Sequence, residues 1–308
     1  MARFPDAARA IRCPFDGHTV ARSAHSKKAV TSAAEAIVLR VTDQGRTPWP
    51  DAVAVEEPLE IRLGWGPVLG PGRPVSITMR TPGDDLALAV GFLHAEGILR
   101  SLDDVDGVRH CGRPVRDDGT SNIVKIQLRA GARVDLSRLE RNTYSSSSCG
   151  VSGTRSLEDV RTQYPPVLGP GPFLSATLIN TLPRRLKRHE GVADQTGGLH
   201  AAALFDGEGR LVRVREDVGR HNAVDKVIGA EFMIDALPRA NSTLFVSGRA
   251  SFELVQKALM AGIPVLAAVG APSSLAIELA AEHGMTLLGF VRDGRFNIYC
   301  GSSRVDAP

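Results

Sequence analysis

The amino-acid sequence predicts an α/β protein (α+β over the whole chain) with a smaller N-terminal α+β domain and a larger C-terminal α/β domain. The 308 residues suffice for two compact domains, and the apolar content of 43% supports an aliphatic core. From about residue 174, short apolar runs alternate with amphipathic segments, which predicts a largely parallel sheet covered by helices on both faces. The first half lacks this alternation.

Composition divides the chain into four segments. Residues 1–34 are rich in Arg and Ala but lack the continuous apolar centre of a secretory signal, so we expect a disordered extension. Residues 35–140 form the small domain, and residues 173–308 form the large one. Between them, residues 141–172 hold a serine run, one cysteine and the stretch "YPPVLGPGP", which together predict a mobile loop and a linker.

The elements of the small domain follow from local patterns. The runs "AIVLRV", "PVSITMR" and "SNIVKIQL" predict strands, "AVAVEEPLEIRL" predicts two strand pieces, and "DQGRTPWPD" predicts a turn segment. The stretch "TPGDDLALAVGFLHAEGIL" predicts a helix with Thr81 as its cap, Pro82 in its first turn and Gly97 at its end.

The large domain begins with the helical segment "FLSATLINTLPRRLKRHE", which Pro183 is expected to break or end. The turn "GEG" joins the predicted strands "GGLHAAALFD" and "RLVRVREDV" in a hairpin. Three helices, the first being "RHNAVDKVIGAEFMI", then alternate with three strands up to "MTLLGFVRD". In such a sheet, ligand-binding residues are expected where strands end and helices begin.

Charge and cysteine content limit the function classes. A net charge of +3 does not argue for nucleic acid, although it allows local basic sites for phosphate groups. The four cysteines, Cys13, Cys111, Cys149 and Cys300, are widely scattered, and a chain with a full core does not need disulfides. We therefore expect reduced thiols and a cytoplasmic protein. The sequence has no apolar run of about eighteen residues, so we expect no membrane span.

Two strand-to-helix junctions carry Gly-Arg pairs. In "REDVGRHNAVDK", Arg220 and His221 stand where free backbone amides and the helix dipole attract anions. In "SGRASFE", Gly248 and Arg249 occupy a second junction of the same kind. Either junction alone is more often a polar helix cap with surface ion pairs. Together they favour a site for a phosphate-rich ligand.

A zinc-deaminase site is excluded by its residue requirements. That chemistry needs His-x-Glu and a later Pro-Cys-x-x-Cys, which hold the zinc ion and move protons. His200 and His221 are each followed by two residues that include no glutamate, and Cys300 has no paired cysteine. His200, which follows two glycines in "TGGLHAAA", is by itself more often a core histidine than a catalyst.

Cys149 stands among small and polar residues in "YSSSSCGVSGTRS", not among the apolar neighbours typical of a structural cysteine. An exposed thiol in a mobile loop suits transfer of a sulfur atom between partners. The same stretch matches Cys-x5-Arg-Ser, the phosphatase loop, with Arg155 holding the phosphate. Ser152 replaces the glycine of that loop, and four serines replace its buried strand. An incidental surface thiol is the third interpretation.

Several blocks, taken in order, resemble the FdhD family of sulfur carriers that serve formate dehydrogenases. The likeness spans roughly residues 36–301. Its specificity comes from the joint presence and order of "TPGDDLALAVGFLHAEGI", "SSCGVSG", "TGGLHAAAL", "REDVGRHNAVDKVIG", "VSGRASFELVQKA", "APSSLAIELA" and "TLLGFVRDGRFNIY".

The resemblance implies a function and a set of site residues. Such carriers accept sulfur from a cysteine desulfurase as a persulfide, here on Cys149, and pass it to a molybdenum (or tungsten) bis(guanine dinucleotide) cofactor. The resemblance also implies a homodimer and a cytidine-deaminase-like large domain. It places the cofactor-binding stretch at Phe290, Val291, Arg292, Asp293, Gly294 and Arg295. Anion partners for the cofactor's phosphates would be Arg220, Arg249, Arg292 and Arg295, then His221 and Lys226.

One position departs from the family pattern. The loop commonly reads Cys-Gly-x-Cys-Gly, and here Ser152 replaces the second cysteine. A hydroxyl neither forms a disulfide nor receives a sulfane sulfur, so transfer has to proceed on Cys149 alone. The expected partners are a cysteine desulfurase and a formate dehydrogenase, with no nucleic acid and no membrane. Two alternatives stay open: a phosphatase-like enzyme and a non-catalytic chaperone for the cofactor.

Overall fold

A computed structural model describes the structure of residues 32–65, 70–115, 120–132, 134, 165–189 and 191–306. It also gives the backbone of two short strands, β1 (Ile11–Arg12) and β2 (Thr19–Val20), which pair with each other. Cys149 and the rest of its loop lie outside the described residues. The predictions for residues 1–31 and 135–164 therefore stay predictions.

A long two-stranded ribbon opens the small domain. Strand β3 (Ala33–Thr42) pairs antiparallel with β4 (Gly45–Ala54) over the full length of both strands. The predicted turn segment "DQGRTPWPD" is therefore wrong for most of its length, because only Asp43 and Gln44 form the turn. The prolines of β4 hid the strand pattern. They are tolerated because each strand of a two-stranded ribbon has one edge without a partner.

The small domain is a four-stranded sheet covered by one helix. Its strands, in the spatial order β6-β5-β8-β7, are β5 (Glu57–Gly64), β6 (Arg73–Arg80), β7 (Val105–His110) and β8 (Ile123–Leu128). Helix α1 (Asp85–Ala95) buries Leu88 and Leu93 against this sheet, in a core with Leu59 and Ile126. A single 3-10 turn, Leu102–Asp104, leads into β7.

The start of α1 differs from its prediction. The helix begins at Asp85 with Asp84 as its cap residue, whereas Thr81 lies one turn earlier in the chain. Buried Asp85 receives two hydrogen bonds from the buried Arg80 guanidinium, at 2.9 and 2.8 Å, and this ion pair fixes the entry to the helix. Gly97, with φ +68°, follows the helix end as predicted.

The large domain contains a six-stranded sheet in the order β11-β10-β12-β13-β14-β15. These strands are β10 (His200–Asp206), β11 (Leu211–Asp217), β12 (Ser242–Val246), β13 (Val265–Ala268), β14 (Thr286–Arg292) and β15 (Arg295–Cys300). Before them, β9 (Leu174–Ser175) pairs with β16 (Val305–Asp306), which follows the 3-10 turn Ser302–Arg304. The helices are α2 (Ala176–Lys187), α3 (Val192–Thr196), α4 (Arg220–Phe232), α5 (Phe252–Met260) and α6 (Ser274–Glu282).

The predicted α/β class is confirmed, and the prediction of a largely parallel sheet is wrong. Only the β12–β13 and β13–β14 pairs are parallel, because the β10–β11 hairpin and β15 join antiparallel. Strand β15 itself was not predicted. Both faces are covered as expected, since α4, α5 and α6 share one apolar cluster and α2 contributes to the other. The cytidine-deaminase-like layout stays a prediction.

Pro183 does not end α2, contrary to the prediction. The helix continues to Lys187 with Pro183 inside it. The proline removes one backbone hydrogen bond. Burial of Ile179, Leu182 and Leu186 against the sheet supports the helix on both sides of that position.

The two domains meet where α1 crosses α4, and the contact is made by backbone. A Cβ atom on Gly91 would lie 1.9 Å from the carbonyl oxygen of Asp225. A Cβ atom on Gly229 would lie 1.8 Å from the carbonyl oxygen of Ala87. Only glycine fits at either position without a shift of the helices.

A buried polar network reinforces this interface. The Asp217 carboxylate, fully buried, accepts hydrogen bonds from the backbone N–H groups of Thr81 (3.1 Å) and Gly219 (2.8 Å). The Lys226 ammonium lies 2.8 Å from the same carboxylate and donates to the Thr81 carbonyl at 2.8 Å. Asn222 donates to the Met79 carbonyl at 2.7 Å. The small domain is therefore bonded to the junction between β11 and α4.

We expect Gly229→Ala to destabilise the protein, although Gly→Ala in a helix normally stabilises it. The new methyl group forces α1 and α4 apart, which overpacking data place at about 1–3 kcal/mol of unfolding free energy. Urea denaturation measures the change. Gly107→Ala in β7 is the control, because a Cβ atom there meets nothing within 4 Å. Equal stability of the two variants would contradict the close helix contact.

Candidate functional site

The predicted site residues of the large domain meet at one edge of its sheet. Strands β11, β12, β13 and β14 run in the same direction, so their carboxyl ends lie together, beside the start of β10. The segments 218–221, 247–251 and 269–273 follow the ends of β11, β12 and β13, and residues 290–295 comprise the end of β14 and its turn into β15. We call this the carboxyl edge. Both Gly-Arg junctions lie at this edge, at the ends of β11 and β12, although the two strands are not neighbours because β10 lies between them.

The first corner of the carboxyl edge brings together Arg220, His200 and Gly248. Arg220 is the first residue of α4, and its Nε is buried without a hydrogen-bond partner among the described residues. A Cβ atom on Gly248 would lie 3.5 Å from His200 Nδ1 and 3.7 Å from Arg220 Cδ, so the three residues lie within van der Waals reach of one another. The corner thus holds one fixed positive charge beside an uncrowded stretch of backbone.

His200 belongs to this corner, a placement to which its sequence context gave little weight. Burial lowers the pKa of His200, and the nearby positive charges of Arg220 and His221 lower it further, against an opposing effect of Asp217. The imidazole is therefore neutral at neutral pH. The preceding pair, Gly197 and Gly198, was the only sequence signal for a close backbone approach at this place.

His221 points from α4 toward the start of α5. Its Nε2 lies 3.3 Å from Ser251 Oγ and 3.8 Å from Glu253 Oε2. Burial disfavours the charged form of Glu253, but interactions with His221, the Glu253 backbone amide and Ser251 outweigh it and lower the pKa of Glu253 to about 2. These contacts connect α4 to α5. The His221 side chain therefore holds the two helices in position, and we do not count it among the groups that contact a ligand.

The second corner consists of exposed Arg249 and the turn after β13. Gly270 donates its N–H to the Gly248 carbonyl at 2.8 Å, and a Cβ atom on Gly270 would lie 2.9 Å from Arg249 Cγ. The Arg249 guanidinium makes no hydrogen bond or ion pair within the part of the chain that the structure describes. It is thus available to an anion.

The stretch from Phe290 to Arg295 forms the third corner. Phe290 has φ +53°, an uncommon conformation for an aromatic residue, and its side chain is 40% exposed. Arg292 is exposed and donates to the Val269 carbonyl at 2.6 Å. Gly294 has φ +85° and forms the turn, with Asp293 and Arg295 exposed on either side.

Val291 differs from the other residues of this stretch. Its side chain is fully buried in the core beneath α2, so only its backbone can contact a ligand. Lys226 is also removed from the candidate anion partners, because it is buried and bound to Asp217. The buried Asp225 carboxylate lies 2.7 Å from the Lys257 ammonium, and burial raises the pKa of Asp225 against the effect of that lysine.

The carboxyl edge suits an extended ligand. Four strand spacings separate β11 from β14, which corresponds to about 19 Å. Arginines stand at both ends of this distance and near its middle. The described residues contain no group of His, Cys, Asp and Glu that could hold a metal ion. Cys149, Arg155 and Ser152 lie outside the described residues, so the roles expected of them stay predictions.

Comparison with known proteins assigns the family. The FdhD/NarQ family profile matches residues 54–306. The chain belongs to the FdhD/NarQ family. It is similar to a sulfur carrier protein FdhD of Streptomyces coelicolor, with 52% identity over 271 residues, covering 87% of this chain and 94% of the relative. A protein of the same name from Mycobacterium tuberculosis is 48% identical over 262 residues, covering 83% and 92%.

A solved structure supports the fold of this family member. The crystal structure from Desulfotalea psychrophila, assigned there to a formate dehydrogenase accessory protein, superimposes with a TM-score of 0.67. The superposition covers 89% of this chain and 99% of that one at 24% sequence identity, so it supports the fold and not a function. None of the helices in the described residues is long and apolar enough to cross a bilayer.

We expect Glu253 to contribute to acid sensitivity of this edge. Its pKa is about 2 in the folded chain against an ordinary value of 4.5, so its stabilisation is complete above about pH 4.5. That stabilisation is lost as the pH falls toward 2. The stability difference between the wild type and Glu253→Gln, measured by urea unfolding, should therefore shrink between about pH 6.5 and about pH 3.

Glu282→Gln, which changes an exposed carboxyl at the end of α6, is the matched control. If the difference between wild type and Glu253→Gln has the same size at both pH values, the carboxylate does not hold the bonds described for it.

Proposed function

We propose that this chain is a sulfur carrier for a formate dehydrogenase. It accepts a persulfide sulfur from a cysteine desulfurase on Cys149 and delivers it to a molybdenum bis(guanine dinucleotide) cofactor bound at the carboxyl edge. The names of its close relatives support the sulfur-carrier role. The proposal that the cofactor binds there rests on one observation. Three corners that carry arginines lie along about 19 Å of one sheet edge.

The charges of the edge match the proposed ligand. Two guanine dinucleotides carry several phosphates, and guanidinium groups bind phosphate oxygens through paired, charge-assisted hydrogen bonds. Arg249, Arg292 and Arg295 are exposed, and Arg220 has an unsatisfied Nε at the far end. The exposed ring of Phe290 offers an apolar face to a guanine base. Binding of this kind weakens as ionic strength rises.

The sulfur chemistry requires one reactive thiol. The Cys149 thiolate attacks the terminal sulfur of the desulfurase persulfide, the S–S bond of the donor breaks, and the donor cysteine leaves as a thiolate. Cys149 then holds the new persulfide. The terminal sulfur is then transferred to the metal, which supplies the two electrons that reduce this sulfur to a sulfido ligand, and Cys149 returns to the thiolate. Because Ser152 replaces the second loop cysteine, no relay between two loop thiols is part of this scheme.

The described thiols are less suited to the role. Burial raises the pKa of Cys300, whose Sγ donates to the Met285 carbonyl at 3.3 Å, so little of it is thiolate at neutral pH. Cys111 is half-buried at the end of β7 in the small domain, away from the carboxyl edge. We further propose a cytoplasmic homodimer, in which the persulfide is exchanged with a desulfurase and then presented to the cofactor.

We expect intact-protein mass spectrometry to detect one added sulfur atom after incubation with a cysteine desulfurase and cysteine. The increment should disappear on reduction and should be absent from Cys149→Ala. Cys111→Ala is the control and should gain the sulfur normally. Activation of a formate dehydrogenase should be lost with Cys149→Ala and kept with the control.

Other outcomes separate the alternatives. Full dehydrogenase activation by Cys149→Ala would refute the carrier role. Cofactor binding without any sulfur increment on the wild type would indicate a chaperone. Hydrolysis of an aryl phosphate that is lost on Arg155→Ala would indicate the phosphatase-like activity.

A further inference from the structure

A basic pocket lies beside α2 and Leu211, the first residue of β11, whereas the carboxyl edge lies at the other end of that strand. It has a volume of about 290 Å³ and lies between α2 and β11. Its lining consists of Thr181, Arg184, Arg185, Arg188, His189 and Leu211. Three arginines and one histidine thus line the pocket, and none of the described lining residues is a carboxylate. We call it the α2 pocket.

The position of the α2 pocket makes it distinct from the proposed cofactor site. Helix α2 packs on the sheet face opposite α4, α5 and α6. The pocket opens near the start of β11, whereas the carboxyl edge lies at its end. Strand β11 has seven residues, so the two places are about 20 Å apart along the strand.

The arginines of the α2 pocket have no internal counter-charge in the described residues. Arg185 donates to the Gly209 carbonyl in the turn between β10 and β11, and this bond holds its guanidinium in place. Arg184 and Arg188 are exposed and form no ion pair within the ranges that the structure describes. They stand four residues apart on one helix face, where like charges destabilise the helix by a few tenths of a kcal/mol.

The helix dipole explains only part of this arrangement. Cations in the last turn of a helix are stabilised by the negative end of the dipole. Lys187 has the same benefit and does not line the pocket. The dipole therefore accounts for basic residues at the end of α2, but not for their gathering around a cavity together with the hydroxyl-bearing Thr181.

We propose that the α2 pocket binds the phosphate groups of a second, small anionic ligand. Guanidinium groups fit phosphate oxygens in pairs, so the exposed Arg184 and Arg188 are the donors that the pocket offers. His189 Nδ1 lies 2.9 Å from the Arg185 carbonyl, which makes it the donor there, so this N–H group is not available to the ligand. The volume is at the lower end of the range for small-molecule sites, so it suits a diphosphate or a small phosphate ester.

Calorimetric titration with inorganic pyrophosphate in a low-salt buffer tests this proposal. All titrations use the full chain with Arg249→Gln and Arg295→Gln, which weakens anion binding at the carboxyl edge. In this background we expect saturable binding, at least ~10-fold weaker after Arg184→Gln and Arg188→Gln are added. Lys187→Gln removes the same kind of charge from the same helix and should leave the affinity nearly unchanged.

Two further measurements separate the effect of guanidinium geometry from that of charge and from unfolding. Arg184→Lys with Arg188→Lys keeps the charge but loses the planar fork, so its affinity should lie between those of the background and the double glutamine variant. Thermal unfolding of each variant shows that the fold is kept. The proposal is overturned if the background itself binds no pyrophosphate, if Lys187→Gln weakens binding as much as the pocket pair, or if only a glutamate-rich peptide binds.

Discussion

The close crossing of α1 and α4 is the constraint on which the rest of the structure depends. Gly91 and Gly229 bring two backbones together with no side chain between them. This approach places Thr81 of the small domain beside Asp217 at the end of β11. Asp217 in turn fixes the N–H of Gly219, the residue before α4. The position of Arg220 at the carboxyl edge therefore depends on contacts with the small domain.

Burial of this interface also separates structural charges from ligand-binding ones. Asp217 and Lys226 neutralise each other within the protein, and removal of either would leave the other charged and buried, at a cost of several kcal/mol. The same holds for Asp225 and Lys257. Arg249, Arg292 and Arg295 at the strand ends, by contrast, form no ion pair among the described residues and stay available to an external anion.

The sequence predicted the parts of the fold that rest on local patterns. Apolar patterns located strands β10 to β14 and four of the five described helices of the large domain, and Gly-Arg pairs located two corners of its carboxyl edge. The directions of the strands were predicted less well. The β10–β11 hairpin and β15 join the sheet antiparallel, and these pairings depend on contacts that local patterns do not show. The ribbon strand β4 was missed because prolines normally argue against a strand.

Features that depend on three-dimensional neighbours could not be predicted from local residues. Pro183 remains inside α2 because its flanking leucines and isoleucine are buried, which is a property of the sheet beneath them. Val291 and Lys226 carry suitable residue types, but their surroundings bury them. His200 was the reverse case, because an apolar strand predicts a core position, whereas the fold places His200 beside Gly248 and Arg220 at the carboxyl edge. The run "RRLKRH" resembles an ordinary basic helix end, and only the fold shows the cavity beside it.

The position of the nucleotide site at the carboxyl edge is tested most directly by hydrogen–deuterium exchange with guanosine diphosphate, which represents the nucleotide end of the proposed cofactor. The chain would carry Arg184→Gln and Arg188→Gln, so that the α2 pocket does not contribute. If the nucleotide site has this position, amide hydrogen exchange in residues 247–250, 270–273 and 290–295 becomes slower on nucleotide binding. Slower exchange confined to the small domain, or none at saturating nucleotide, would contradict it.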